Sequence, residues 1–219
     1  MKARFSDPGV AGAGPGATRE QLLEAARQVF AEAGFRNATI REICHRAGAN
    51  IAAVNYHFGD KERLYSAVVA DAARLARETY PETGGLPPNP TPARRLHAIV
   101  RSLLLRTLSD GPQSHHGKLL TRELIEPSPV LDDIVRDDLF PLAEGIISVV
   151  RELLGKSAGE QLVRDCAFSV AAQVVFYFHC RPVLGRMFPD MTYEPEDIER
   201  LADHITEFSL AAIKKLAKP

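Results

Sequence analysis

Apolar residues recur along this chain at spacings of three and four, with no stretch of strict alternation. The pattern therefore predicts helices and no strands. Leu22, Ala26, Val29, Phe30 and Ala33 form a first stripe behind Thr18, which makes a capping box with Gln21, and Gly34 is the expected stop. A short second helix opens at Thr39 with Glu42 as its reciprocal partner. It carries Ile40, Ile43, Cys44 and Ala47 on one face and ends at Gly48. Asn50 can cap a third helix, in which Val54 and Phe58 face inward and Ile51, Ala52, Asn55 and His57 face outward. Asp60 caps a fourth, Lys61 to about Tyr80, with Leu64, Val68 and Leu75 inside.

Residues 81–92 hold five prolines and two glycines and cannot continue a helix, which makes them a loop and a candidate domain boundary. Helical spacing resumes from Ala93 to Ser109, with Leu96, Ile99, Val100, Leu103, Leu104 and Leu108, and Asp110-Gly111-Pro112 ends it. His115 and His116 are expected in the following loop, and Lys118 to Glu126 as a short helix stopped by Pro127 and Pro129. Val130 to Leu154 reads as one helix kinked at Pro141. Glu160 to about Arg181 is apolar on nearly every face, which predicts burial on all sides, and Pro182 is its expected end. The last helix, Pro195 to about Leu216, carries Ile198, Leu201, Ile205, Phe208 and Ala212. The expected fold is all-α, with about nine helices.

Composition narrows the function. A chain of 219 residues with net charge −1 is no bulk polycation, so any DNA contact must come from a local patch. No apolar run approaches ~20 residues, so no membrane span is expected. Residues 1–17 are rich in Gly, Ala and Pro and read as a flexible tail, in which Lys2 and Arg4 are basic enough to reach a minor groove. The tail lacks the apolar core of a signal peptide, so a cytoplasmic location is expected. Cys44, Cys166 and Cys180 sit in apolar helical patterns and are expected as buried free thiols, and no spacing suggests a zinc site or any cofactor.

The stretch TIREICHRAGANIAAVNYHF, Thr39 to Phe58, reads as two short helices joined by a tight turn, the pattern of a helix-turn-helix. Taken alone it equally describes a helical hairpin in a core. The longer segment ATREQLLEAARQVFAEAGFRNATIREICHRAGANIAAVNYHFGDKERLY resembles the N-terminal DNA-binding domain of the TetR family of transcriptional regulators. Phe30, Gly34-Phe35, Thr39, Ile43, Ala47-Gly48, Tyr56-His57-Phe58 and Lys61-Glu62-Leu64 carry the likeness. Asn55, Ile51 and Ala52 depart from it: the family has Tyr, a polar residue or Lys, and Gly there. LLTRELIEPSPV and FSVAAQVVFYFHCRPV are similar to the C-terminal domain of the CecR-like subgroup. The resemblance implies a head at 18–65, a helical body at 66–219, and a homodimer through the last two helices.

Asn50, Ile51, Ala52 and Asn55 lie outward on the second helix of the motif and are expected to touch base edges; an Asn amide can pair with adenine. Thr39, Tyr56, His57 and Lys61 are expected to hold phosphates. The expected partners are an operator in double-stranded DNA and a small-molecule effector, with release of the operator on effector binding, the default of a repressor in this family. Helical bundles hold ligands in mostly apolar pockets with a few polar groups. His97, Arg101, Arg122, Glu123, Gln173, Tyr177 and His179 are the polar candidates on body segments that otherwise read as core. Two other classes stay open at this point. One is an enzyme built on the His and acidic residues, although no GxSxG, HExxH or phosphate-binding Gly loop is present. The other is an all-α interaction module without DNA binding.

Overall fold

The computed structural model describes residues 18–111 and 114–217. The expectations for the N-terminal tail and for Pro112 lie outside the described residues. The described residues hold ten α-helices, one π segment and no strand. Two compact units meet at the Tyr65–Ser66 boundary, inside a helix rather than at the proline-rich loop.

The first unit holds α1 (Arg19–Asn37), α2 (Ile40–Ala47), α3 (Ile51–His57) and the start of α4 (Lys61–Thr79). Thr18 Oγ1 accepts from Gln21 N, and Gln21 Oε1 accepts from Thr18 N at 2.8 Å, so the capping box is complete. Gly34 (φ 76°, ψ 170°) breaks the helical path as expected, but one further turn follows it, to Asn37. Thr39 Oγ1 accepts from Glu42 N at 3.1 Å, while the Glu42 carboxylate turns away to Arg46 (2.8 Å), so that box is only half made. Arg46 also meets Glu32 of α1 at 2.9 Å. Beneath these caps lies an aromatic core. Tyr65, fully buried, packs edge-on to Phe30 (4.7 Å) and tilts against Phe35 (5.1 Å).

The second unit is a helical bundle. α5 (Pro92–Leu108), α8 (Phe140–Leu154), α9 (Glu160–Met187) and α10 (Pro195–Leu216) enclose Leu96, Val100, Leu104, Val150, Val170 and Ile205. α6 (Ser114–Ile125) and α7 (Leu131–Ile134) cover one end. The proline-rich loop is stitched to this unit, because the Tyr80 carbonyl accepts from Ser102 Oγ (2.6 Å) and Arg106 Nε (3.1 Å).

Four local expectations are corrected here. His115 and His116 are not in a loop: α6 begins at Ser114, whose hydroxyl donates to the Gly111 carbonyl at 2.7 Å. The expected helix Val130–Leu154 is continuous from Leu131, but it changes type on the way, running as α7, a π segment (Val135–Leu139) and α8. Pro141 has no N–H to return to the turn before it, and the wider π turn falls there. Pro182 does not end α9, which runs on to Met187. Contacts on both sides offset the lost hydrogen bond, with Arg181 donating to the Leu108 carbonyl (3.0 Å) and Leu184 buried. Finally, α9 is not buried all round. Val163, Ala167, Val170 and Val174 face the core, while Phe168, Val175, Phe176 and Val183 are exposed, as is Phe208 of α10. Among the described residues α9 alone is long and apolar enough, by length and composition only, to cross a membrane, a test that core helices of soluble proteins also pass.

Candidate nucleic-acid interface and body cavity

The helix-turn-helix is held by three side-chain caps and one left-handed glycine. Gly48 sits at φ 61°, ψ 32°, and its N–H returns to the carbonyls of Cys44 and His45. A β-carbon at that angle is strained, although none of its surroundings would be touched. The chain then turns sharply into α3. Asn50 Oδ1 accepts from Ala53 N at 2.9 Å, and Asp60 Oδ1 accepts from Arg63 N at 2.8 Å to start α4.

With Val54 fully buried and Phe58 nearly so, α3 turns Ile51, Ala52, Asn55 and Tyr56 to solvent. Tyr56 is 85% exposed and Ile51 46%, so both side chains stand free to meet a partner surface. His57 is half-buried, its ring edge-on to Tyr56 (5.0 Å). Two of the expected DNA contacts have other work. The Asn50 carbonyl oxygen is committed to its cap, which leaves only its amide N–H groups for a ligand. Lys61 Nζ donates to the Arg36 carbonyl (3.3 Å) and lies over the Phe35 ring (4.6 Å), and partial burial lowers its pKa. Arg41 and Arg63, not singled out from the sequence, are exposed on α2 and α4.

The second site is a cavity of about 140 Å³ between α5, α6, α8 and α9, walled by Leu103, Leu142, Ile146, Val174 and Phe178 among others. Gly117 of α6 permits the close approach of Phe178, whose ring would stand 3.0 Å from an added β-carbon. A charged network runs behind the apolar wall. Asp138, in the π segment, accepts from Arg77 Nη1 (2.6 Å), and its other oxygen lies 2.6 Å from His116 Nε2. Burial raises the Asp138 pKa, but the His116 hydrogen bond and charge, with Arg77 and Arg106, outweigh it and hold the carboxyl below its ordinary value. Buried Arg106 reaches Glu82 at 3.1 Å, and burial pulls its pKa down against the attraction of that carboxylate.

The sequence candidates divide around this cavity. Glu123, 2% exposed, lines it, and its Oε2 accepts from both Ser128 N (3.1 Å) and Ser128 Oγ (3.0 Å). His179 lines it too. His97 and Arg101 do not: they join α5 to α10, with His97 3.0 Å from Asp203 and Arg101 2.5 Å from Glu199. His97, Glu199 and Asp203 come within 4.8 Å of one another, a clustering no local spacing foretells, but Arg101 already occupies Glu199. Gln173 bonds Ser209 (3.0 Å) and, with Tyr177, lines a shallow groove elsewhere. Arg122, half-buried, lies outside the cavity wall. Arg106, His116 and Asp138 are the polar groups the sequence reading missed. Each sits on a helix face that neighbouring apolar residues already explain, and their partners are 22 or more positions away.

Comparison with known proteins places both units. Residues 22–68 match the tetR family of bacterial regulatory proteins, and residues 92–213 match the C-terminal domain of the HTH-type transcriptional dual regulator CecR. CecR of Shigella flexneri is 31% identical over 153 residues, 65% of this chain and 67% of that protein. The transcriptional repressor AcnR of Corynebacterium efficiens is 46% identical over 68 residues, which cover 31% of this chain and 36% of AcnR. Among solved structures, a transcriptional regulator from Rhodococcus sp. Rha1 superposes with a TM-score of 0.64 at 25% identity, covering 88% of this chain and 96% of its own. FadR of Bacillus subtilis, solved with stearoyl-CoA, shares the fold (TM-score 0.64, 14% identity, 89% and 98% covered). All of these are regulators, and the enzyme alternative falls away. The chain is a member of the TetR family of bacterial transcriptional regulators, with a C-terminal domain of the CecR type.

Proposed function

We propose that this chain is a cytoplasmic homodimer that binds an operator in double-stranded DNA through residues 18–65 and releases it when a small molecule enters the cavity of residues 66–219. The observation that carries the reading is the outward face of α3. Ile51, Ala52, Asn55 and Tyr56 are exposed while Val54 anchors the helix from beneath. Ile51 and Ala52 offer apolar surface to a thymine methyl, and the Asn55 amide pairs with an adenine edge. Thr39, Tyr56 and His57 hold phosphates, with Arg41 and Arg63 beside them. Asn50 and Lys61 serve first as a cap and as a brace, and contribute to DNA only with their remaining N–H groups.

One short helix reads few base pairs, so a dimer is needed to read two half-sites about one turn (~34 Å) apart. Phe168, Val175, Phe176 and Val183 of α9 with Phe208 of α10 form the isologous contact, which also supplies the cover that the outer face of α9 lacks in a single chain. AcnR carries the name of a repressor and FadR was solved with stearoyl-CoA, which supports repression and an effector here. Selection of bound sequences from a random DNA pool, with sedimentation of the free protein, tests the reading. A two-fold symmetric site and a dimer at micromolar concentration are expected; a monomer, or no enriched sequence, overturns it.

A further inference from the structure

We propose that His97, Glu199 and Asp203 form a zinc site that clips α5 to α10. His97 stands on α5, while Glu199 and Asp203 lie one turn apart on α10. One ligand atom from each side chain comes within 4.8 Å of the other two. Helix packing brings them together, across 106 positions between His97 and Asp203.

The contacts already present leave one oxygen unserved. His97 turns a single nitrogen, Nε2, toward both carboxylates, 3.0 Å from Asp203 Oδ1 and 3.8 Å from Glu199 Oε1. One ring proton serves Asp203 but not Glu199, because 3.8 Å is beyond hydrogen-bond reach. A dication between the three atoms serves both oxygens at once. Tetrahedral zinc with bonds of ~2.1 Å spaces its ligands about 3.4 Å apart, and the two separations from Nε2 fall on either side of that value. Zinc takes the lone pair of Nε2, the ring proton stays on Nδ1, and the two carboxylates match the charge of the ion.

Arg101 supports the site rather than blocking it. It holds Glu199 by the other oxygen, Oε2, at 2.5 Å, which fixes the carboxylate and leaves Oε1 to the metal. The donor set selects the ion. An imidazole nitrogen with two carboxylates suits zinc, and three side chains are too few for calcium, which takes about six to eight oxygens. His97 and Glu199 also line a hollow of about 430 Å³, with room for the water that completes a three-ligand zinc site.

The test titrates the metal-free, full-length protein with zinc sulfate by calorimetry and follows its thermal melting. One equivalent per chain should bind, and saturating zinc should raise Tm by about 5 °C. Magnesium at the same concentration should leave Tm unchanged. Asp203→Asn alters a side chain 62% exposed, so the fold should persist while zinc binds at least about tenfold more weakly. Asp203→His restores a ligand and should recover the affinity. Cobalt(II) in place of zinc should show the visible bands of four-coordinate nitrogen and oxygen ligation, without a thiolate charge-transfer band. No bound equivalent, or equal zinc affinity in Asp203→Asn, overturns the site. A thiolate band overturns it by moving the metal to a cysteine. A drop in Tm in Asp203→Asn that is the same with and without zinc reduces the cluster to an ion pair.

Discussion

The head and the body place polar side chains on helices in opposite ways. In the head the capping side chains face water and take partners three residues away: Thr39 with the N–H of Glu42, Asn50 with that of Ala53, Asp60 with that of Arg63; Arg46 and Lys61 reach further, to Glu32 and the Arg36 carbonyl. In the body the inward-turned side chains Arg106, His116 and Asp138 take distant partners. Arg77 and Asp138 are 61 positions apart, His116 and Asp138 22, Arg106 and Glu82 24. An exposed reader needs only a rigid helix beneath it. A buried charge needs its partners delivered by the whole fold, because desolvation without them is costly. Function in the head is therefore separable from stability, and in the body it is not.

The largest test of that separation is Phe30→Ala. Emptying the centre of the aromatic core should cost the head about 3–5 kcal/mol and abolish DNA binding, while ligand binding by the body persists. Denaturant melting followed by calorimetry would read both, and loss of ligand binding would erase the division. Asp138→Asn should cost the body on the order of 2 kcal/mol, the scale of hydrogen bonds to a charged group. The sign with pH follows from the lowered pKa of Asp138. Its contribution is fully present above the ordinary carboxylate range, near pH 4, and is lost as pH falls through the lower folded value. The stability gap between parent and Asp138→Asn should thus close on acidification; a gap that widens would reverse the assignment.

Asn55→Ala reverses the balance in the head. It should weaken the selected operator by about 1–3 kcal/mol per half-site, leave random DNA nearly untouched, and shift melting within about 0.5 kcal/mol. Equal weakening on both DNAs would make Asn55 a phosphate contact. The smallest effect belongs to Gly48→Ala. Nothing lies within 4 Å of the added methyl, so only the φ of 61° is penalised, at about 1 kcal/mol of head stability. A larger loss would mean that the turn has less room than it shows.

What the sequence determined by itself is whatever rests on neighbours in the chain. The caps at Thr18, Thr39, Asn50 and Asp60, the turn at Gly48, the inward Val54 and outward Asn55, and the stop at the end of α10 are contacts between residues within four positions of each other. Helix geometry alone fixes those. The same locality misled where tertiary contacts outweighed it. Pro182 reads as a stop but is carried through by Arg181 and Leu184. His115 and His116 follow a Gly and a Pro and read as loop, yet His116 is drawn into a helix and buried against Asp138. Glu160 to Met187 reads as apolar all round, and periodicity cannot say which face meets its own bundle and which is left for another surface. The cavity and its charged wall were decided by the tertiary structure alone. Their walls come from four helices, and the partners that make Arg106, His116 and Asp138 tolerable in the interior are set by how those helices pack, which no local spacing encodes.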